Sequence, residues 1–273
     1  LSIKTGVALQ PGQDLLITAP MEAAPLVRRL AHHAYKAGAG LVTPFYTDPE
    51  ITLARYQHAA PDSFDKTTDW LFEGMAAAFD KNTARLAVVG EDPMLLSGQN
   101  PEHVGRANQA MSKASSPLRE RITRFDINWN IIAWPGLQWA KLVFPQMSDA
   151  DAQIALAEAI FKASRVNTSD PNEAWAVLNK NLRARTEWLN TKNFAALHFY
   201  GEGTDLTVGL ADGHEWMGGA PTARNGVTCN PNIPSEEVFT TPHALKVNGS
   251  VRSTKPLSPH GTLIEDISVT VKA

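Results

Sequence analysis

DLLITAPMEAAPLVRRLAHHAYKAGAGLVTPFY, from Asp14 to Tyr46, is the stretch that decides the fold. Its first run, DLLITAP, Asp14 to Pro20, is short and apolar and reads as a strand. Behind it Leu26, Leu30, Ala34 and Ala37 recur at helical spacing, with Gly38 or Gly40 as the stop. LVTPFY, Leu41 to Tyr46, is a second strand. Strand, helix and strand in this order predict a βαβ unit, a parallel pair joined by a right-handed crossover.

The theme repeats downstream. Helices are predicted around Pro49 to His58 and Thr67 to Phe79, a strand over Arg85 to Glu91, a helix near Pro101 to Ser115 and a strand over Ile127 to Pro135. Past Trp139 the pattern turns helical. SDADAQIALAEAIFKAS opens on Ser148 as its N-cap, and DPNEAWAVLNKNLRARTEWLN opens on Asp170 with Pro171 at the first helical position. Residues 1–193 are therefore expected to form an α/β domain with a mostly parallel sheet. From Phe194 the runs FAALHFY, DLTVGLADGHEWMGG, NGVT, EEVFTTP, NGSVRSTKP and TLIEDISVTVKA are short, β-type and broken by Gly, Pro and Asn. Residues 194–273 are expected to form a second, mostly antiparallel β domain.

Composition narrows the function. With 43% hydrophobic and 19% charged residues in 273, the profile is that of a globular chain. A formal net charge of -3, a pI near 6.3 and the absence of Lys/Arg runs give no footprint for nucleic acid or an anionic membrane. Cys229 is the only cysteine, which excludes an intrachain disulfide and a Cys-rich zinc site and fits a reducing cytoplasm. No apolar stretch approaches the ~20 residues of a membrane span, and LSIKTGVALQPGQ lacks the apolar centre of a signal peptide. The chain begins at Leu1 rather than Met and stops at Ala273 inside SVTVKA, so both ends read as cut. Val269 and Val271 line one face of that last run, which is expected to pair with sequence outside the chain.

Ligand-type side chains concentrate between Gly203 and Thr241: Thr204, Asp205, His214, Glu215, Asn225, Cys229, Asn232, Glu236 and Glu237. Gly201-Glu202-Gly203 follows a strand, but no helix follows it, so its glycines read as loop formers rather than a phosphate cradle. His32 and His33 are adjacent on a helix and point ~100° apart, which prevents joint chelation. His58, His103 and His198 stand alone in sequence. Asp205 is open to three readings: a ligand, a catalytic carboxylate, or a turn residue bonded to its own backbone. His214-Glu215-Trp216, after the Asp212-Gly213 turn, reads equally as a solvent-side hairpin or a binding segment. In Glu236-Glu237-Val238-Phe239-Thr240 a strand would separate Glu237 and Phe239 from Glu236, Val238 and Thr240. A carboxylate on the drier face would then need a cation or strong donors. Cys229, beside Pro231, reads as a structural thiol.

GTDLTVGLADGHEWMGG, NGVTCNPNIPSEEVFTTPH and VNGSVRSTKPLSPHGTLIEDISV closely resemble the M29 family of thermophilic metallo-aminopeptidases, the aminopeptidase T and aminopeptidase S group. QPGQDLLITAP, EAAPLVRRLAHHAYKAGAGLV and INWNIIAWP are similar to the family's N-terminal domain, so the resemblance covers essentially the whole chain. It implies a cytoplasmic, homodimeric exopeptidase that hydrolyses N-terminal residues from peptide substrates with a water activated by two divalent ions, zinc, cobalt or magnesium. It implies that Glu237, just before the Val of the NIP…EV(F/Y)T motif, is a metal ligand, and that Glu236 is not the favoured one. It implies further that 194–273 begins the catalytic domain. The remaining ligands, a second Glu, two His and an Asp, and a catalytic Tyr are expected beyond Ala273. The isolated chain is accordingly expected to be inactive. The competing expectations are a dimerisation or binding module, and a metal-free enzyme built on Asp205 and His214.

Overall fold

The structure, a computed structural model, describes residues 1–257 and 263–272. Ser258 to Thr262, within the family-like motif, and Ala273, the end of the predicted run from Thr262, lie outside the described residues. The contacts divide the chain into two units. The first holds Leu1–Ala174 and Ala220–Ser235; the second holds Trp175–Gly219 and the described residues from Glu236 onward.

The first unit is built on four parallel strands, β1 (Leu15–Pro20), β2 (Val42–Thr47), β3 (Ala84–Val89) and β4 (Trp129–Ala133), in the order β2-β1-β3-β4. β1 lies inside the sheet, and five of its six residues are buried, as a strand covered on both faces requires. The helices are α1 (Ala24–Lys36), α2 (Pro49–His58), α3 (Asp69–Asp80), α4 (Pro101–Ala114), α5 (Ser116–Thr123), α6 (Leu137–Val143) and α7 (Asp149–Ala163), with α8 (Pro171–Lys192) leading into the second unit. The βαβ expectation holds: α1 joins β1 to a parallel β2. Its buried stripe is Val27, Leu30 and Ala34, with Leu26 at the margin.

Helix starts follow their caps. Asp48 accepts from the Glu50 N–H, Asn100 from Glu102, Ser148 from Asp151, and Asp170 from Asn172 at 2.9 Å. The helices α5 and α6, which carry no long apolar stripe, were not predicted. α5 buries none of its residues and α6 buries Ala140 alone. Leu16, Phe79 and Ile127 form one apolar cluster; Ala140, Ala152 and Leu156 form another.

A buried amide network closes the first unit. Asn128 Nδ2 donates to Val7 O at 2.6 Å, and its Oδ1 accepts from Gln13 and Asn225. Asn130 Nδ2 donates to Asn230 O at 2.7 Å, and Asn230 Nδ2 donates to Thr5 O at 2.9 Å. Residues 231–233 run beside β4: Ile131 N–H donates to Pro231 O, and Ile233 N–H to Ile131 O.

The second unit contains an antiparallel sheet in the order β10-β9-β6-β5, from β5 (Ala196–Gly201), β6 (Thr204–Leu210), β9 (Pro242–Arg252) and β10 (Ser268–Val271), so the last run finds its partner in β9 of this chain rather than in sequence outside it. Glu202 and Gly203 make the tight β5–β6 turn, Gly203 at φ +72 as a loop former, whereas Gly201, expected in the loop as well, is the last residue of β5 and pairs with Thr204. A separate two-residue ladder pairs β7 (Met217–Gly218) with β8 (Val238–Phe239). No helix among the described residues is long and apolar enough to cross a membrane.

Candidate functional site

Glu236 and Glu237 immediately precede β8. The predicted β run was longer: it was to begin at Glu236 and put the two carboxylates on a wet and a dry face. The ladder instead spans only Met217↔Phe239 and Gly218↔Val238, because Gly219 at φ +71 turns β7 away after two residues. Both residues are exposed in the chain.

Their backbone is nevertheless tightly held. A Cβ on Gly218 would lie 2.8 Å from Val238 Cγ1 and 2.9 Å from Glu237 O, so only glycine lets β7 approach this closely. On Gly219 it would lie 2.9 Å from Asn179 O of α8. Thr240 Oγ1 donates to Glu215 O at 2.7 Å. Trp216, 9% exposed, receives both main-chain bonds from one side chain: its N–H donates to Asn190 Oδ1 at 2.7 Å, and Asn190 Nδ2 donates to its carbonyl at 3.1 Å. Asn190 and Gly218 were not singled out in the sequence. The amide two residues before the end of α8 and the Gly pair after Trp216 were the available signals.

The other candidates separate into pairs and structural groups. His198 Nε2 meets Asp205 Oδ1 at 2.8 Å across β5 and β6, and the rings of His198 and Tyr200 are 6.2 Å apart. Asp205 thus bonds a side chain across the hairpin rather than capping its own turn. His214 Nδ1 lies 2.9 Å from Ala211 O, closing its own turn. Cys229 is wholly buried, with its thiol 3.6 Å from Trp129 O. Burial pushes that thiol up to about 11, which leaves it protonated near neutrality. His32 and His33 are exposed, with ring planes 83° apart. His103 stacks on Phe64 at 4.4 Å, and Asn225 belongs to the buried amide network.

Among the described residues no three His, Cys, Asp or Glu side chains come together as a metal-binding group. A carboxylate is a hard oxygen donor for divalent ions. Exposed, and rooted on a braced ladder, Glu237 fits one ligand position of such a centre without completing it.

Residues 1–273 match the family described as thermophilic metalloprotease (M29), and the chain belongs to that family. Aminopeptidase T of Thermus thermophilus is 48% identical over 267 residues, covering 98% of this chain and 65% of that protein. Aminopeptidase 2 of Geobacillus stearothermophilus is 39% identical over 272 residues, 66% of its length. The solved structure of wild-type AmpT from Thermus thermophilus superposes with a TM-score of 0.92 at 46% identity, covering all of this chain and 67% of that one. The chain thus spans about 65% of the length of the Thermus relative.

Proposed function

We propose that this chain is part of a metal-dependent aminopeptidase, which releases N-terminal residues from peptides with a water activated by two divalent ions, zinc, cobalt or magnesium. Family membership across residues 1–273 is the observation that carries the reading. Ions of this kind act as Lewis acids that lower the pKa of water and polarise a carbonyl. Glu237 is the ligand that this chain contributes, and its negative charge offsets the positive charge gathered in the site. The braced β7–β8 ladder fixes the backbone that carries the carboxylate before a cation binds. Catalytic groups beyond Ala273, a homodimer, a cytoplasmic location and a division near 193/194 belong to the same reading.

The test is Glu237→Gln in the full-length protein, which preserves size and removes charge. Metal-dependent release of N-terminal residues is expected to fall at least 100-fold, with the zinc content per chain reduced. Unchanged turnover and zinc content at limiting metal would remove Glu237 from the site.

A second reading makes this segment a non-catalytic dimerisation or binding module, inactive alone. It is favoured by the lack of a three-ligand group among the described residues. Equilibrium dialysis of the full-length protein and of its Glu237→Gln variant against zinc separates the two. Loss of bound ion in the variant would sink the module reading, and equal binding in both would favour it.

A further inference from the structure

A ladder of two residue pairs is too short to hold its own register. Yet register matters here more than elsewhere, because a slip by one residue turns every side chain of a strand to the opposite face. Glu237 directly precedes β8, so the face on which its carboxylate emerges depends on Val238 staying opposite Gly218.

Three contacts supply what the ladder lacks. Gly218 admits the Val238 side chain and the Glu237 carbonyl at distances that a Cβ would forbid. Thr240 bonds back to Glu215 O. The third is the Asn190 amide, which offers one acceptor and one donor to Trp216, the residue just before β7, at 2.7 and 3.1 Å. This is the donor and acceptor pair that a neighbouring strand would offer. Asn190 therefore acts as a one-residue third strand that fixes β7 in place, and it comes from a helix of 22 residues, a rigid base.

We propose that Asn190 is the positioning residue for the metal ligand Glu237: its bidentate bond to the Trp216 backbone locks β7 in register with β8. The proposal rests on Glu237 being a ligand. No other residue type at 190 reproduces the function fully. Asp keeps the acceptor and loses the donor, Ala loses both, and Gln carries the amide one methylene further out.

The test uses the full-length protein stripped of metal and titrated with Co2+ alone, reading affinity, the visible absorption bands of the bound ion and the melting temperature of the apo-protein. Asn190→Ala is expected to weaken Co2+ binding roughly 10- to 100-fold, the usual effect of losing a group that orients a ligand, and to shift the absorption bands. Asn190→Asp is expected to fall between it and the parent. A change in melting temperature alone, with parental affinity and bands, would overturn the proposal, because a merely structural amide moves stability and not the ion. Should Asn190→Ala fail to fold, Gly218→Ala disturbs the same ladder from its other face and must give the same loss; parental Co2+ binding in that variant overturns the proposal too. Glu237→Gln separates this idea from its foundation. If that variant loses Co2+ while Asn190→Ala and Gly218→Ala do not, only the register lock fails. If it retains parental Co2+ affinity, the assignment of Glu237 itself fails.

Discussion

Cys229 shows how a buried thiol writes itself into the stability of the chain. Burial raises its pKa from an ordinary value of 9.0 to about 11 in the fold. Between those two pH values the unfolded chain has released the proton and the folded chain has kept it. Stability therefore falls as pH rises through this window and is fully present below pH 9. The predicted loss is about 2–3 kcal/mol across the window. Urea unfolding of the parent and of Cys229→Ala at pH 8 to 11 tests this: the parent must lose more stability than the variant, and parallel curves would count against it. A thiol so placed is also expected to resist alkylation until the chain opens.

At the scale of elements, Gly249 carries much of the antiparallel sheet. It sits in β9 at φ +125, and a Cβ there would strike the Asp205 carbonyl and approach Leu206 Cα to 2.9 Å. The backbones of β6 and β9 pass too closely for a side chain, and the dihedral is one that L residues avoid. Gly249→Ala is predicted to cost roughly 2 kcal/mol or more, read as a lower urea midpoint with an unchanged slope; a midpoint within error of the parent would show that the strand yields easily. β9 itself, Pro242–Arg252, is longer than the runs EEVFTTP and NGSVRSTKP that the sequence suggests, but several elements of the first unit were legible. β1, α1 and β2 follow from apolar runs and a helical stripe, α2 lies at its predicted bounds, and the caps at Ser148 and Asp170 do what their residue types suggest. The short elements were not. The helix α5 has nothing buried to imprint a period, and β8 ends up two residues long because its partner turns away, a tertiary fact invisible in EEVFTT. Glu237 stood out as a candidate through its motif. Asn190 was not, since a polar residue near the end of a helix looks the same whether it faces water or clamps a strand 26 residues on.

Across the whole molecule, the first unit draws together segments very far apart in the chain. Asn230 reaches Thr5 over 225 residues and Asn130 over 100, and it is 5% exposed. Asn230→Ala would leave the Thr5 carbonyl without that donor. It is predicted to destabilise by about 1–3 kcal/mol, the cost of stranding a buried polar group, measurable as a fall in thermal midpoint. No change would mean that water replaces the amide without penalty. Links of this length also imply slow folding, since closing long loops precedes any gain from the contacts they allow.

The strip 231–233 beside β4 has a consequence for synthesis. Asn230 is translated 100 residues after Asn130, so at about 5–20 residues per second the outer edge of β4 waits roughly 5–20 s on the ribosome before its cover exists. During that interval the nascent chain displays an unpaired parallel edge, the kind of surface that chaperones engage and that neighbouring chains on a polysome can invade.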